Sequence, residues 1–143
     1  MVELTQTPTA EVVEKLEQAR GFLLGSPTIL AEALPPVWML LSYLNPVVHG
    51  GKYAAVFGSY GWSGEGVPHI IARLKQIHLR VVDLFRVRFK PSERELAEAV
   101  SFGYQFGLKL LKGEEKKKPS ARGTLVKCLV CGEIFDSSIE TCP

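Results

Sequence analysis

The chain has 143 residues, which suits one ordinary domain or a small domain with an appendage. A hydrophobic share of 46%, a charged share of 22% and a net charge of +2 match a soluble globular chain and argue against disorder and nucleic-acid binding. The longest apolar stretch, Val37 to Leu44, is far short of a membrane span, and no basic start followed by an apolar run marks a signal peptide; a cytoplasmic protein with no membrane partner is expected.

In chain order, the pattern predicts a short strand at Val2–Leu4. A helix follows, with Thr7 or Thr9 as cap and Pro8 near its first turn; Val12, Val13, Leu16 and Ala19 recur at helical spacing. Gly21-Phe22-Leu23-Leu24 is an unbroken apolar run, read as a buried strand that ends in the loop Gly25-Ser26-Pro27-Thr28. Pro35-Pro36 opens a second helix, and Asn45-Pro46 closes it. Tyr53 to Phe57 is a second buried strand, followed by a loop from Gly58 to Gly64 and a third helix over about 65–77. Arg80 to Phe85 reads as a strand with a partly polar rim. Ser92-Glu93-Arg94-Glu95 resembles a capping box and opens a long helix to about Leu111. Residues 112–125 form a polar linker whose Lys116-Lys117-Lys118 run reads as solvated. Strands alternating with helices indicate an α/β fold with a parallel sheet, and ligands bind such sheets outside the carboxyl ends of the strands.

Two glycine-containing loops stand at those ends. Gly58-Ser59-Tyr60-Gly61-Trp62-Ser63-Gly64 combines three glycines with two large aromatics. Glycine permits positive φ and close backbone approach. Exposed aromatics with free N–H groups suit a flat ring with a polar edge, such as a flavin; an ordinary turn with its aromatics packed on the sheet edge remains the alternative. The Gly25-Ser26-Pro27-Thr28 loop adds hydroxyl and N–H donors from the neighbouring strand.

All three cysteines lie near the end of the sequence, as Cys128-x2-Cys131-Gly132 with Cys142-Pro143 ten residues further on. This spacing points to a metal in a reducing compartment rather than to disulfides. A tetrahedral thiolate site takes four sulfurs, so a fourth cysteine is expected two residues past Pro143, and the sequence reads as part of something longer. The spacing alone does not choose between iron and zinc, which share this tetrahedral thiolate geometry.

The stretches Leu24-Gly25-Ser26-Pro27-Thr28-Ile29, Leu34-Pro35-Pro36 and Ala55-Val56-Phe57-Gly58-Ser59-Tyr60-Gly61-Trp62-Ser63-Gly64-Glu65 closely resemble the flavodoxin-like domain of flavodiiron proteins, or A-type flavoproteins. The resemblance covers residues 2 to about 111. It implies that Ser26, Pro27, Thr28 and Ile29 on one side, and Ser59, Tyr60, Gly61, Trp62, Ser63, Gly64 and Glu65 on the other, flank the ring of FMN. The tail from about 126 to 143 resembles the rubredoxin-like module that follows this domain in some members, with Cys128, Cys131 and Cys142 as metal ligands. The flavoprotein resemblance favours iron there, with zinc as the alternative. The expected organisation is therefore a partial flavodoxin-like domain over 1–111, a linker over 112–125 and a truncated rubredoxin-like module over 126–143.

The resemblance also implies departures. Read against the family, the four predicted strands match strands 2 to 5, so the central strand 1 and its phosphate-binding loop are absent, and FMN is expected to bind weakly. The diiron centre of the family lies on a β-lactamase-like domain with a His-x-Glu-x-Asp motif. None of His49, His69 and His78 fits that motif, and His69 and His78 read as helix-surface residues. The expected function is electron transfer between a rubredoxin-type iron and FMN within a flavodiiron-type O2 or NO reductase system. Expected partners are a diiron domain or subunit and a redox donor such as an NAD(P)H-dependent reductase, with a homodimer left open. The alternative is a truncated, non-redox binding module with a structural zinc tail.

Overall fold

Three apolar runs of the sequence form one parallel sheet in the computed structural model, which describes residues 1–117, 125–127 and 134–136. The chain divides into two compact units, Met1–Leu110 and Leu111–Pro143. In order, the elements are α1 (Thr9–Gln18), β1 (Gly21–Gly25), β2 (Thr28–Ile29), β3 (Glu32–Ala33), α2 (Pro35–Tyr43), α3 (Pro46–His49), β4 (Tyr53–Tyr60), α4 (Gly66–Gln76), β5 (Arg80–Arg88) and α5 (Glu93–Lys117). The second unit contains an antiparallel hairpin of β6 (Leu125–Lys127) and β7 (Ile134–Asp136), in which Val126 faces Phe135.

The sheet runs β1-β4-β5 with both pairings parallel, as the three predicted core strands required. Leu24 pairs with Val56, and Val56 with Leu84. Ser26 N–H donates to the Phe57 carbonyl at 3.1 Å, so the two glycine-containing loops leave the same edge of the sheet. β4 is central, and its Ala54, Ala55 and Val56 have no exposed surface. Strand side chains alternate between faces. Leu24, Ala54 and Val56 join Val12, Leu16, Val37, Leu40, Leu41, Val67, Ile70 and Leu74 in one core, so α1, α2 and α4 cover that face.

On the other face α5 lies against the sheet. A Cβ on Gly21 would sit 2.6 Å from the Tyr53 carbonyl of the neighbouring strand and 2.7 Å from a methyl of Leu110 on α5; the backbone contact is the one that cannot give way, so glycine is needed there. Phe85 and Phe102 stack with centroids 5.7 Å apart. β5 carries a bulge opposite Ala54 and Ala55 that leaves Val82 without a ladder partner. Its carbonyl instead accepts from Lys109 Nζ at 3.2 Å, and the same ammonium reaches Asp83 at 3.3 Å.

The expected strand at Val2–Leu4 does not form. The segment turns, with the N–H groups of Gln6 and Thr7 donating to the Glu3 carbonyl. Three residues offer too few ladder bonds to hold a strand without a neighbour. Neither Thr7 nor Thr9 caps α1; Pro8 occupies that position, with no side-chain bond. α2 ends at Tyr43 with Leu44 as its C-cap, just before the expected Asn45-Pro46, and the Asn45 side chain accepts from Val47 N–H at 2.7 Å to start α3. The loop expected after β1 contains the small β2–β3 hairpin, and β4 continues through Tyr60, three residues beyond its apolar run. β5 likewise continues to Arg88. α5 runs past the expected end at Leu111 to Lys117, because residues 112–117 are Lys, Glu and one Gly, with no strong helix breaker before Pro119.

The capping box is formed as its spacing predicts. Ser92 N–H and hydroxyl donate to Glu95 Oε2 at 2.8 and 2.9 Å, and Glu95 N–H donates to Ser92 Oγ at 3.3 Å. The Ser92 N–H and then its hydroxyl hold the Glu95 carboxyl below the usual carboxylate range. Urea unfolding followed by circular dichroism should show Ser92→Ala costing about 1 kcal/mol. Leu74→Ala, which opens a cavity at a fully buried position, should cost about 2–5 kcal/mol.

Candidate functional site

A cleft with a volume of about 610 Å³ opens at the carboxyl ends of the strands. Thr28, Leu30 and Ala31 form one wall; Gly61, Trp62, Ser63, Gly64 and Glu65 form the other.

The first wall is the β2–β3 hairpin. Thr28 pairs with Ala33 and Ile29 with Glu32, and a two-residue turn joins them. Both turn residues are left-handed, Leu30 at φ 52° and Ala31 at φ 62°. Such turns usually carry Asn-Gly, and placing residues with a Cβ there costs about 1–2 kcal/mol each. Ser26 is buried beneath the hairpin. Its hydroxyl donates to the Pro27 carbonyl at 2.9 Å and accepts from Leu34 N–H at 3.1 Å, so it is spent on holding the loop. Glu32 ties the hairpin to α4 through His69 Nδ1 at 3.0 Å. Desolvation pushes the Glu32 carboxyl up, but the Ala33 N–H, the His69 ring and the Trp38 side chain outweigh it and hold the group below its ordinary value.

The second wall is gripped by the end of β5. Phe89 N–H donates to the Tyr60 carbonyl at 2.8 Å. Arg88 Nε donates to the Gly61 carbonyl at 3.1 Å and an Arg86 guanidinium nitrogen to the Gly64 carbonyl at 3.3 Å. The Arg86 guanidinium also lies 5.7 Å from the centre of the Tyr60 ring. Gly64 is at φ 68°, and a Cβ there would strike the Tyr60 ring at 2.8 Å. Trp62 is 87% exposed and meets the Phe89 ring edge-on at 6.4 Å. None of the described groups accepts from the N–H of Gly61, Trp62, Ser63 or Gly64. The carbonyls of Tyr60, Gly61 and Gly64 are thus held by β5 and the residue after it, while four consecutive N–H groups have no described acceptor.

Glu65 closes this wall. The Ser63 hydroxyl, then its own backbone N–H, and more weakly the charge of His69, hold its carboxyl below the usual range. Its Oε2 is shielded from solvent and has no hydrogen-bond partner.

Of the residues singled out in the sequence, Thr28, Gly61, Trp62, Ser63, Gly64 and Glu65 come together around the cleft. Ser26, Pro27 and Ile29 support or flank the hairpin, and Ser59 and Tyr60 lie in β4 opposite Val87 and Arg88. Leu30 and Ala31 were not legible as site residues, because nothing in Leu-Ala signals a tight turn. Arg86 and Arg88 could have been noticed as an Arg-x-Arg pair at the end of a strand beside the loop. Cys128, Cys131 and Cys142 lie outside the described residues. Among the described residues no group of three or more His, Cys, Asp or Glu side chains is placed to hold a metal. His49 is buried, with Nδ1 accepting from Asn45 N–H at 2.9 Å. His69 is on the α4 surface as expected; His78 lies just past the helix, left-handed at φ 61°, with its N–H on the Lys75 carbonyl. Among the described residues no helix is long and apolar enough to cross a membrane.

No protein-family model matches the chain. Over 107 residues it is 39% identical to the flavo-diiron protein FprA2 of Clostridium acetobutylicum, covering 74% of this chain and 27% of that protein. The type A flavoprotein fprA of Rhodobacter capsulatus is 40% identical over 92 residues, covering 64% and 21% respectively. Its homologues are flavodiiron, or A-type, flavoproteins. The chain spans about a quarter of the length of these relatives. The solved flavodiiron protein from Giardia intestinalis superimposes with a TM-score of 0.74 at 27% identity, over 82% of this chain and 30% of that one. A flavodoxin from the domain Archaea superimposes with a TM-score of 0.63 at 28% identity, over 75% and 73%. The fold is flavodoxin-like.

The Glu32–His69 contact makes the hairpin wall pH-dependent. A carboxyl held below its ordinary value stabilises the folded chain above the unfolded glutamate pKa of about 4.3, and that contribution is lost as pH falls through the lower folded value. Both side chains are close to half exposed, so at neutral pH Glu32→Gln should cost no more than about 1 kcal/mol. Urea midpoints measured from pH 7 down to pH 3 should converge for wild type and Glu32→Gln at the acid end.

Proposed function

We propose that the chain is an electron-transfer module that holds the ring of FMN between the Leu30–Ala31 turn and the Gly61–Glu65 loop. The observation that carries this is the run of four N–H groups without a described acceptor, beside an exposed Trp62, on residues that line a cleft of ligand size. A flavin ring offers a face for stacking and an edge of N and O acceptors, which is the chemistry this wall complements. The similarity to a flavo-diiron protein and a type A flavoprotein supports the same ligand. FMN supplies the electron chemistry when bound; the chain's own residues orient the ring and shield one edge of it.

The described residues fit the ring and not the phosphate. The helix beginning nearest the cleft is α4, and its N-cap is Glu65, whose ionised carboxyl repels an anion at the position where a helix would otherwise attract one. The flavodoxin-like part is assigned to residues 1–111. The partners in this reading are a diiron β-lactamase-like domain or subunit and an NAD(P)H-dependent reductase. Cys128, Cys131 and Cys142, in a rubredoxin-like module over 126–143, would bring iron to the flavin domain. The support for this last part is the cysteine spacing.

Flavin fluorescence titration tests the ring site. FMN and riboflavin should quench with dissociation constants within about twofold of each other, and Trp62→Ala should weaken both by roughly tenfold, the order expected for one lost stacking contact. Absence of quenching by the wild-type chain would overturn the proposal. For the tail, anaerobic reconstitution should load ferrous iron into the wild-type chain and not into Cys128→Ser. Equal uptake by both chains, or uptake of zinc alone, would refute the iron assignment.

A further inference from the structure

We infer that Arg88 is a positioning residue for this cleft: it fixes the Gly61–Trp62 peptide group and makes the Trp62 N–H the strongest of the open donors. The inference rests on the flavin-ring reading for the identity of the ligand, and on geometry alone for the role of Arg88.

Arg88 Nε donates to the Gly61 carbonyl at 3.1 Å. The guanidinium is always charged, and a charged donor makes a bond roughly twice as strong as a neutral one. A hydrogen bond to a peptide oxygen polarises the whole peptide unit, so the N–H at its other end becomes a better donor. The N–H in the Gly61–Trp62 unit belongs to Trp62. Every peptide among the described residues is trans, so this N–H points to the opposite side of the peptide from the carbonyl that Arg88 holds.

The neighbouring donors are treated differently. The Tyr60 carbonyl receives only the neutral N–H of Phe89, so the Gly61 N–H is polarised less. None of the described groups donates to the carbonyls of Trp62 and Ser63, which leaves the N–H groups of Ser63 and Gly64 unassisted. The Gly64 carbonyl does receive Arg86, at the longer distance of 3.3 Å, but the N–H of that unit belongs to Glu65 and faces Glu65's own carboxylate. Arg88 therefore singles out one donor of the four.

The same side chain also bears on the Trp62 indole. The Arg88 guanidinium lies 5.5 Å from the centre of the Phe89 ring, and Phe89 in turn meets Trp62 edge-on. Phe89 is held at φ 57°, a costly conformation for an aromatic residue, by its N–H bond to Tyr60. One arginine thus orders both things Trp62 offers a ring, its face and its N–H. A ring acceptor that gains electron density on reduction would be held more firmly by such a donor.

The test uses the full chain labelled with 15N, comparing wild type with Arg88→Met, Arg88→Lys and Arg94→Met. Arg94 removes the same charge but contacts only Glu98 on the surface of α5. Without any ligand, Arg88→Met should move the Trp62 amide proton upfield, Arg88→Lys should recover part of that shift, and Arg94→Met should leave it in place. In flavin titrations Arg88→Met should weaken FMN and riboflavin alike by roughly threefold to tenfold relative to Arg94→Met, the range for one hydrogen bond. A Trp62 amide that Arg88→Met does not move, in a wild-type chain that binds flavin, overturns the role of Arg88 and leaves the flavin reading intact. An amide that moves as expected in a chain that quenches no flavin overturns the flavin reading, and with it any ring-directed role for Arg88.

Discussion

Burial of β4 on both faces is the constraint on which the remaining structure depends. Ala54, Ala55 and Val56 have no exposed surface, and a strand that central needs a neighbour on each edge and a layer on each face. Small side chains make this possible, because they let the core helices approach from one side while Ala55 lies flat beneath the other. β1 and β5 supply the edges. Their parallel direction forces each connection to cross the sheet, which is why helices intervene and why the loops after β1 and β4 emerge together. The cleft is a consequence of that shared edge.

Backbone strain collects beside the cleft. Three of the four described non-glycine residues with positive φ are Leu30, Ala31 and Phe89, which build or brace its walls. Such conformations persist only where surrounding contacts over-determine them. For the hairpin those contacts are the buried Ser26 hydroxyl and the Glu32–His69 pair. For Phe89 they are its bond to Tyr60 and its ring contact with Trp62. The extension of β4 and β5 beyond their apolar runs belongs to the same arrangement. Paired backbone carries Ser59, Tyr60, Arg86 and Arg88 out past the core, so the far side of the loop is attached to the sheet and its near side is left open.

All three core strands were legible, Gly21–Leu24 and Tyr53–Phe57 from continuous apolar runs and Arg80–Phe85 from a run with a partly polar rim. The expected full burial holds only at the centre of β4: on the edge strand β1 Leu23 is exposed, and so is Phe57 at the end of the apolar run. The capping box at Ser92 and Glu95 was legible for a local reason: both partners lie within one helical turn. The segment at Val2–Leu4 misled because strand formation is decided by a neighbour, which three residues cannot reveal. The ends of β4 and β5 were missed because Gly58-Ser59-Tyr60 and Arg86-Val87-Arg88 have no apolar periodicity; they pair because each presents its backbone to the other. The β2–β3 hairpin was missed because Leu30-Ala31 lacks the residues that such a turn favours.

By itself the sequence determined the alternation of strands and helices, the parallel direction of the core strands and the loop that would carry Trp62. All of these follow from side-chain polarity and short-range backbone preference, which are written residue by residue. Only the tertiary structure decided which groups of that loop are open. The carbonyls of Tyr60, Gly61 and Gly64 are taken up by Phe89, Arg88 and Arg86, residues more than twenty positions further along the chain. The Ser26 hydroxyl, a plausible ligand donor in the sequence, is taken up by Leu34 N–H. Whether a polar group is available for chemistry depends on what has already bonded to it, and hydrogen bonds between distant residues exist only once the chain has folded.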